Sequence, residues 1–131
     1  MGIYTELIFG AKLKSDTPQD VIETLKYMVG SSQEPTIKSF ETKSGRNPLN
    51  GGSFYFGVAN SVTEMTYSNI CKAWQISSRA NINNQENEIE DFLKWIKPYI
   101  NKGSGERGIY AIVIYQEIGE PTIFYLRDEP K

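Results

Sequence analysis

Only two segments of this chain have the periodicity of an amphipathic helix, and the other patterned segments alternate as strands do. The first helical segment ends at Gly30, and the second follows the Asn83-Asn84 step. Two helices cover one face of a five- or six-stranded sheet, but not both faces. The chain is therefore predicted to be an α+β two-layer sandwich, with a mixed, mainly antiparallel sheet and both helices on one face.

The elements are predicted in the order β-α-loop-β-β-β-α-β-β. Alternation is most regular in residues 72–82, where Trp74 and Ile76 face one side and Arg79 faces the other. The segment 109–115 is apolar on both faces, which predicts the central strand. The other strand patterns lie in residues 3–13, 53–58, 62–67 and 122–126. The strand order stays open, because the connections fit a ferredoxin-like split βαβ core with extra strands as well as other two-layer sandwiches.

The helix ends have recognisable signals. Thr17 is predicted to be the N-cap of the first helix, with Pro18 at its first position, and Gly30 is predicted to end it. In the second helix the acidic residues come first and the lysines last, which suits the helix macrodipole. Pro98 has no amide hydrogen for the carbonyl of Lys94, so this helix is expected to kink or end there.

Residues 31–52 are polar and are predicted to be mostly loop. A structureless loop of this length is uncommon in a compact domain, so two alternatives stand. Either residues 36–42 contain a short strand or turn, or the segment is a functional or mobile flap. Residues 44–52 are predicted to be flexible and residues 127–131 to form a polar tail, within a single domain over residues 1–131.

Composition argues against several classes of function. The 131 residues include 16 acidic and 14 basic side chains, a net charge of −2, so nucleic acid is not an expected partner. The chain has no His, which removes Ser-His-Asp triads, His-ligated zinc and imidazole acid-base chemistry. No apolar run approaches about 20 residues, so no membrane segment is expected. The single Cys71 favours a reducing cytoplasm over a secreted, disulfide-bonded domain.

Two glycine-containing motifs are better explained by structure than by ligand binding. Residues 103–108 match G-x-G-x-x-G, but a helix precedes them and a strand follows, which is the reverse of a dinucleotide site. Residues 52–57 have the alternating aromatic residues of RNA-recognition modules but not their leading basic residue. Both segments are therefore predicted to serve the fold.

The carboxylates form no convincing metal or catalytic pattern. Glu41-Thr42-Lys43 has the E-x-K spacing of metal-dependent nucleases, but no second carboxylate is expected beside it. The acidic residues 86–91 are explained by the start of a helix, and Glu117 and Glu120 by a solvated hairpin loop. Cys71 is expected to be partly buried and unreactive. We accordingly expect neither a metal nor a cofactor.

A binding surface is predicted instead on the sheet face that the helices leave uncovered. Arg79 lies at its centre, and Tyr and Arg are residue types that binding surfaces favour. The candidate residues on this face are Arg79, Gln75, Asn81, Tyr4 and Glu6, with Tyr110 or Tyr125 from neighbouring strands. The loop over residues 44–52 is expected to add Arg46 to the binding surface. The alternative is an ordinary solvated face with cross-strand charge pairs such as Arg79 with Glu6.

Three functions compete. The first is a non-catalytic protein-interaction module, such as an inhibitor, immunity-type or accessory protein, and it requires a patch without converging ionisable groups. The second is a metal-dependent hydrolase, which requires several carboxylates in one cleft. The third is a self-associating domain, which requires Tyr and apolar residues on the open face. Partners are therefore expected to be another protein or a second copy, and the lack of a catalytic pattern favours the first function.

Overall fold

The computed structural model describes residues 4–31, 33–36, 38–44, 47–49, 62–84, 86–101, 108–115 and 120–126. The strands within these ranges are β1 (Tyr4–Lys12), β2 (Val62–Ser68), β3 (Ala73–Asn83), β4 (Ile109–Tyr115) and β5 (Pro121–Tyr125). The helices are α1 (Gln19–Met28) and α2 (Glu88–Ile96), and a 3-10 turn over Lys97–Tyr99 follows α2. The predicted strand over 53–58 lies outside the described residues.

The described strands form one five-stranded sheet in the order β2-β3-β1-β4-β5, and every neighbouring pair is antiparallel. The predicted α+β class, a sheet with two helices, is confirmed. The β-α-β-β-α-β connectivity, with β1 and β3 adjacent, is that of the ferredoxin-like split βαβ arrangement, and β5 extends the sheet beside β4. Of the two topologies left open by the sequence, the described residues therefore have the ferredoxin-like one.

The prediction that residues 109–115 form the central strand is wrong, because β1 lies at the centre of the described sheet and β4 lies between β1 and β5. The composition of β4 has a different cause. Ala111 and Val113 are buried in the core, whereas Ile112 and Ile114 point to the opposite face and are half-buried. A strand that is apolar on both faces thus does not need the middle position, since one of its faces can stay at the surface.

The first helix ends as predicted but begins differently. Gly30 adopts a positive φ of 82°, and the amide of Ser31 donates to the carbonyl of Lys26, which is a Schellman closure. The N-cap is Pro18 and not Thr17, whose hydroxyl donates to the carbonyl of Lys14 at 2.6 Å. The predicted N-cap is therefore wrong, because the helix begins one residue later than predicted and Thr17 belongs to the turn before it.

Pro98 ends α2 as predicted, since the regular helix stops at Ile96 and continues only as the 3-10 turn. At the other end of α2, Asn87 is the N-cap residue and has a left-handed conformation with φ of 61°. The side chain of Asn84 provides the cap, because its Oδ1 accepts the amide hydrogen of Ile89 at 2.9 Å.

Both helices bury their apolar stripes against one face of the sheet, here called the helix-covered face. Phe92 of α2 is fully buried and contacts Phe9 of β1 edge to face, with ring centroids 5.2 Å apart. The buried strand residues on this face include Leu7, Phe9, Ile76, Ala80, Ile82, Ala111 and Val113. None of the described helices is long and apolar enough to cross a membrane.

The described part of residues 31–52 has no regular helix or strand, but it is packed against the helices. Phe40 stacks on Trp95 of α2 with centroids 5.0 Å apart, and the amide of Ser39 donates to Thr24 Oγ1 of α1. Leu49 is fully buried, and its carbonyl accepts the hydroxyl of Thr63 in β2. The described residues 38–44 and 47–49 thus connect both helices to the sheet edge, and the flexibility of residues 44–52 stays a prediction.

Candidate functional site

The sheet face that points away from the helices, here called the far face, carries most of the predicted binding residues. Strand β3 contributes four polar side chains, here called the polar strip: Gln75, Ser77, Arg79 and Asn81. The first three are exposed, and Asn81 is half-buried. Arg79 lies opposite Ile8 of β1 and opposite Val62 of β2. The predicted juxtaposition of Arg79, Gln75 and Asn81 on one face is therefore present.

Glu6 also lies on the far face, but it is fully buried. Its Oε1 accepts a hydrogen bond from Asn81 Nδ2 at 3.0 Å, and Ile114 is its neighbour on the other side. The Oδ1 atom of Asn81 is buried and has no hydrogen-bond partner among the described residues. Glu6 and the half-buried Asn81 thus form a hydrogen-bonded pair, and the fully buried Glu6 carboxylate is not accessible to a partner.

Of the other predicted residues, Tyr110 and Tyr125 lie on β4 and β5, away from the polar strip. Tyr4 contributes its backbone to β1 opposite Asn83, and Arg46 lies outside the described residues. Tyr110 is buried in the core, because the register shifts between Ile109 and Ala111. Its ring contacts Phe124 edge to face with centroids 6.3 Å apart, and burial raises the pKa of its hydroxyl. Tyr125 is half-buried in β5, opposite Ile109.

An aliphatic surface that was not predicted from the sequence adjoins the polar strip. It is here called the aliphatic patch and consists of Ile8, Ile112, Ile114, Ile123 and Pro121. Ile8, Ile112 and Ile123 form one row across β1, β4 and β5. Ile123 is 40% exposed. The sequence signal for this patch is the segment 109–115, whose apolar residues on both faces predict a central strand instead.

A second polar cluster lies at the start of α2, on the helix-covered face. Glu90 accepts hydrogen bonds from Asn84 Nδ2 at 2.9 Å and from the Tyr115 hydroxyl at 2.6 Å. Burial, and then the bond to Glu90, raise the pKa of the Tyr115 hydroxyl above its ordinary value. Glu88 is fully buried and accepts a hydrogen bond from Ser44. These bonds join α2 to β4 and to the loop before β2, so the cluster is explained by folding.

A small cleft lies between the end of α1 and the loop that follows it. It is about 90 Å³ and is lined by Tyr27, Met28, Lys38, Phe40, Glu41, Thr42, Asn47 and Pro48. Pockets for small organic ligands are usually roughly 300 Å³ or more. Lys38 forms ion pairs with Glu34 and Glu41, which raise its pKa. The cleft is therefore smaller than an ordinary ligand pocket, and its lysine is already paired with carboxylates of the same chain.

Cys71 differs from its prediction, because it is exposed in the turn between β2 and β3. The backbone amide of Cys71 donates a hydrogen bond to Ser68 Oγ at 3.1 Å. The hydroxyl of Ser68 and then the ammonium of Lys12 hold the pKa of the thiol below its usual value. The thiol is thus more reactive than a buried structural cysteine would be.

Among the residues that the structure describes, no group of three or more His, Cys, Asp or Glu side chains is placed to hold a metal ion. Glu41 of the E-x-K tripeptide pairs with Lys38, and Glu120 is exposed just before β5. Residues 52–57, 103–107 and 117 lie outside the described residues. Comparisons of the chain with protein-family models, with curated proteins and with solved structures found no match.

Proposed function

We propose that this protein is a non-catalytic protein-interaction module, of the inhibitor, immunity or accessory type, that binds another protein through its far face. The observation that carries this proposal is the position of the exposed Arg79 beside the aliphatic row of Ile8 and Ile112. Protein interfaces combine apolar contact area with Arg and aromatic anchors. An antiparallel sheet also holds such side chains in a fixed register.

Arg79 provides most of the specificity in this proposal. Its guanidinium carries five N–H donors, so it serves a partner as well as neighbours within its own chain. Gln75 and Ser77 add neutral donors and acceptors on the same strand. A complementary partner surface therefore presents a carboxylate or backbone carbonyls to Arg79 and apolar side chains to the neighbouring isoleucines.

The test compares Arg79→Ala with Lys72→Ala, which removes the same charge from the exposed turn between β2 and β3. Each tagged chain is expressed in its own source, gently purified and weighed by native mass spectrometry. We expect the wild type and Lys72→Ala to retain a second protein that Arg79→Ala loses, with melting temperatures nearly unchanged. Retention of the same protein by Arg79→Ala, or recovery of bare wild-type chain alone, would contradict the proposal.

The same proposal includes a cytoplasmic location. Its support is the exposed, unpaired thiol of Cys71, which persists best in a reducing compartment. Fractionation of the source cells, followed by detection of the protein in each fraction, tests the location independently of partner binding.

A further inference from the structure

We propose that the turn between β2 and β3 binds the surface of a lipid bilayer that contains anionic headgroups. The turn covers residues 69–72, at the end of the sheet where β1 also ends. The surface around it is here called the hairpin end and consists of Lys12, Lys26, Tyr67, Ile70, Lys72 and Trp74. The inference goes beyond the proposed function, because the hairpin end includes neither Arg79 nor the aliphatic patch.

Ile70 lies in this turn and is 96% exposed, the largest exposed fraction among the described large apolar residues. Turns favour Gly, Pro, Asn, Asp and Ser, whose backbone or side chains suit a tight reversal of the chain. An isoleucine brings no such advantage, and an exposed one gains almost no packing energy within its own chain. Its side chain is therefore available to an apolar environment outside the protein.

Two aromatic residues lie directly behind the turn. Tyr67 of β2 and Trp74 of β3 are opposite one another, with ring centroids 5.4 Å apart. Tyr67 is 47% exposed, and Trp74 is half-buried. Tyr and Trp are enriched at the boundary between lipid and water, because each ring is apolar with one polar atom. An aliphatic residue at the tip with two such rings behind it thus follows the polarity of a bilayer, from the acyl chains outwards.

The charges around the turn favour an anionic bilayer. Lys72 is exposed in the turn, Lys12 is exposed at the end of β1, and the ammonium of Lys26 lies 4.6 Å from the ring centre of Trp74. A lysine near an anionic lipid surface strengthens binding by roughly fivefold. The acidic residues within 16–20 and the net charge of −2 oppose this attraction, so we expect binding only where anionic lipid is abundant.

A bilayer suits this surface better than a protein partner does. Ile70 projects from a turn, so a protein would need a pocket that matches it, whereas a bilayer accepts a projecting side chain at any lateral position. Binding to a bilayer interface depends on buried apolar area together with attraction to anionic lipid. One isoleucine and one half-exposed tyrosine supply little area. The contact is therefore weak and reversible, and it requires both the isoleucine and the lysines.

Cosedimentation of the full chain with lipid vesicles tests this inference. One set of vesicles is phosphatidylcholine alone, and the other contains about 30% phosphatidylserine. We expect binding to the second set alone, and loss of that binding at about 1 M salt, where the Debye length is about 3 Å. Ile70→Ser and Lys72→Ala are each expected to lower the partition coefficient by roughly fivefold. Ile123→Ser is the matched control and is expected to change nothing, because Ile123 is 40% exposed on the far face.

Cys71 provides a second measurement, because it is the single cysteine of the chain and is exposed next to Ile70. A polarity-sensitive fluorophore attached to Cys71 is expected to shift its emission to shorter wavelength with the phosphatidylserine vesicles only. Circular dichroism verifies the fold of every variant.

Four results would each overturn the inference. They are no binding to either set of vesicles, equal binding to both sets, equal partition of Ile70→Ser and wild type, and binding to poly-L-glutamate without binding to vesicles. The last result would assign the hairpin end to an acidic protein. All of these measurements use the purified chain without a protein partner, so their failure is distinguishable from failure of the Arg79→Ala comparison.

Discussion

On the helix-covered face, β1 contributes Leu7 and Phe9, which are almost completely buried against α1 and α2. The far side of the same strand carries the half-buried Ile8 and the fully buried Glu6. The helix-covered face thus carries the apolar core, whereas the far face carries residues of three kinds. It contains a buried polar pair, an aliphatic patch and an exposed polar strip. We therefore expect substitutions on the first face to cost more stability than substitutions of the exposed residues on the second.

The largest predicted difference between the faces concerns Phe92. Phe92→Ala removes a fully buried ring that contacts Phe9, Phe40 and Trp95, so we expect a loss of about 3 to 5 kcal/mol in the free energy of unfolding. Urea unfolding in dilute solution measures this loss. The control is Ile112→Ala on the far face, for which we expect less than about 2 kcal/mol, because its side chain is only half-buried. Equal losses would contradict the difference between the faces.

Glu6 shows that part of the far face also resembles a core. Glu6→Ala leaves the Asn81 amide without the acceptor that it now has at 3.0 Å, so we expect a loss of about 1 to 3 kcal/mol. The control is Glu64→Ala, an exposed carboxylate on the same face, with an effect within about 0.5 kcal/mol. A double-mutant cycle with Asn81→Ala measures the coupling. The buried pair contributes nothing to stability if the Glu6 and Glu64 variants unfold alike.

Local signals in the sequence predicted the elements well. Alternation predicted the sides of β1 and β3 correctly, and Gly30 and Pro98 ended the helices because their backbone constraints act locally. The Thr17 prediction was wrong because the helix begins one residue later than expected, and a one-residue shift in a helix start is not visible in the sequence pattern. Strand order depends on contacts between distant residues, which is why the central position of β1 was not predicted.

The candidate site was predicted in part for the same reason. Arg79, Gln75 and Asn81 share a strand, so their alternation alone placed them on one face. The burial of Glu6 and the exposure of Ile123 depend on which strands lie beside them, so they could not be predicted from the sequence. The aliphatic patch has two causes. Strand β4 is apolar on both faces, and the helices cover only one face of the sheet. The apolar character of β4 was visible in the sequence, but the exposure of one of its faces depends on the strand order.

The smallest predicted effect concerns Tyr115, which joins β4 to α2 on the helix-covered face. Tyr115→Phe loses the 2.6 Å hydrogen bond to Glu90, so we expect a loss of about 1 kcal/mol near pH 7. Because the raised pKa of Tyr115 means that folding favours the protonated hydroxyl, this stabilisation is complete below about pH 10 and declines as pH rises further. Urea unfolding from about pH 8 to about pH 11 should therefore show the wild-type curve falling towards that of Tyr115→Phe. Burial also raises the pKa of Tyr110, so the wild type and Tyr115→Phe both lose some stability at alkaline pH through Tyr110. Parallel curves over the whole range would mean that the Tyr115 proton is not linked to folding.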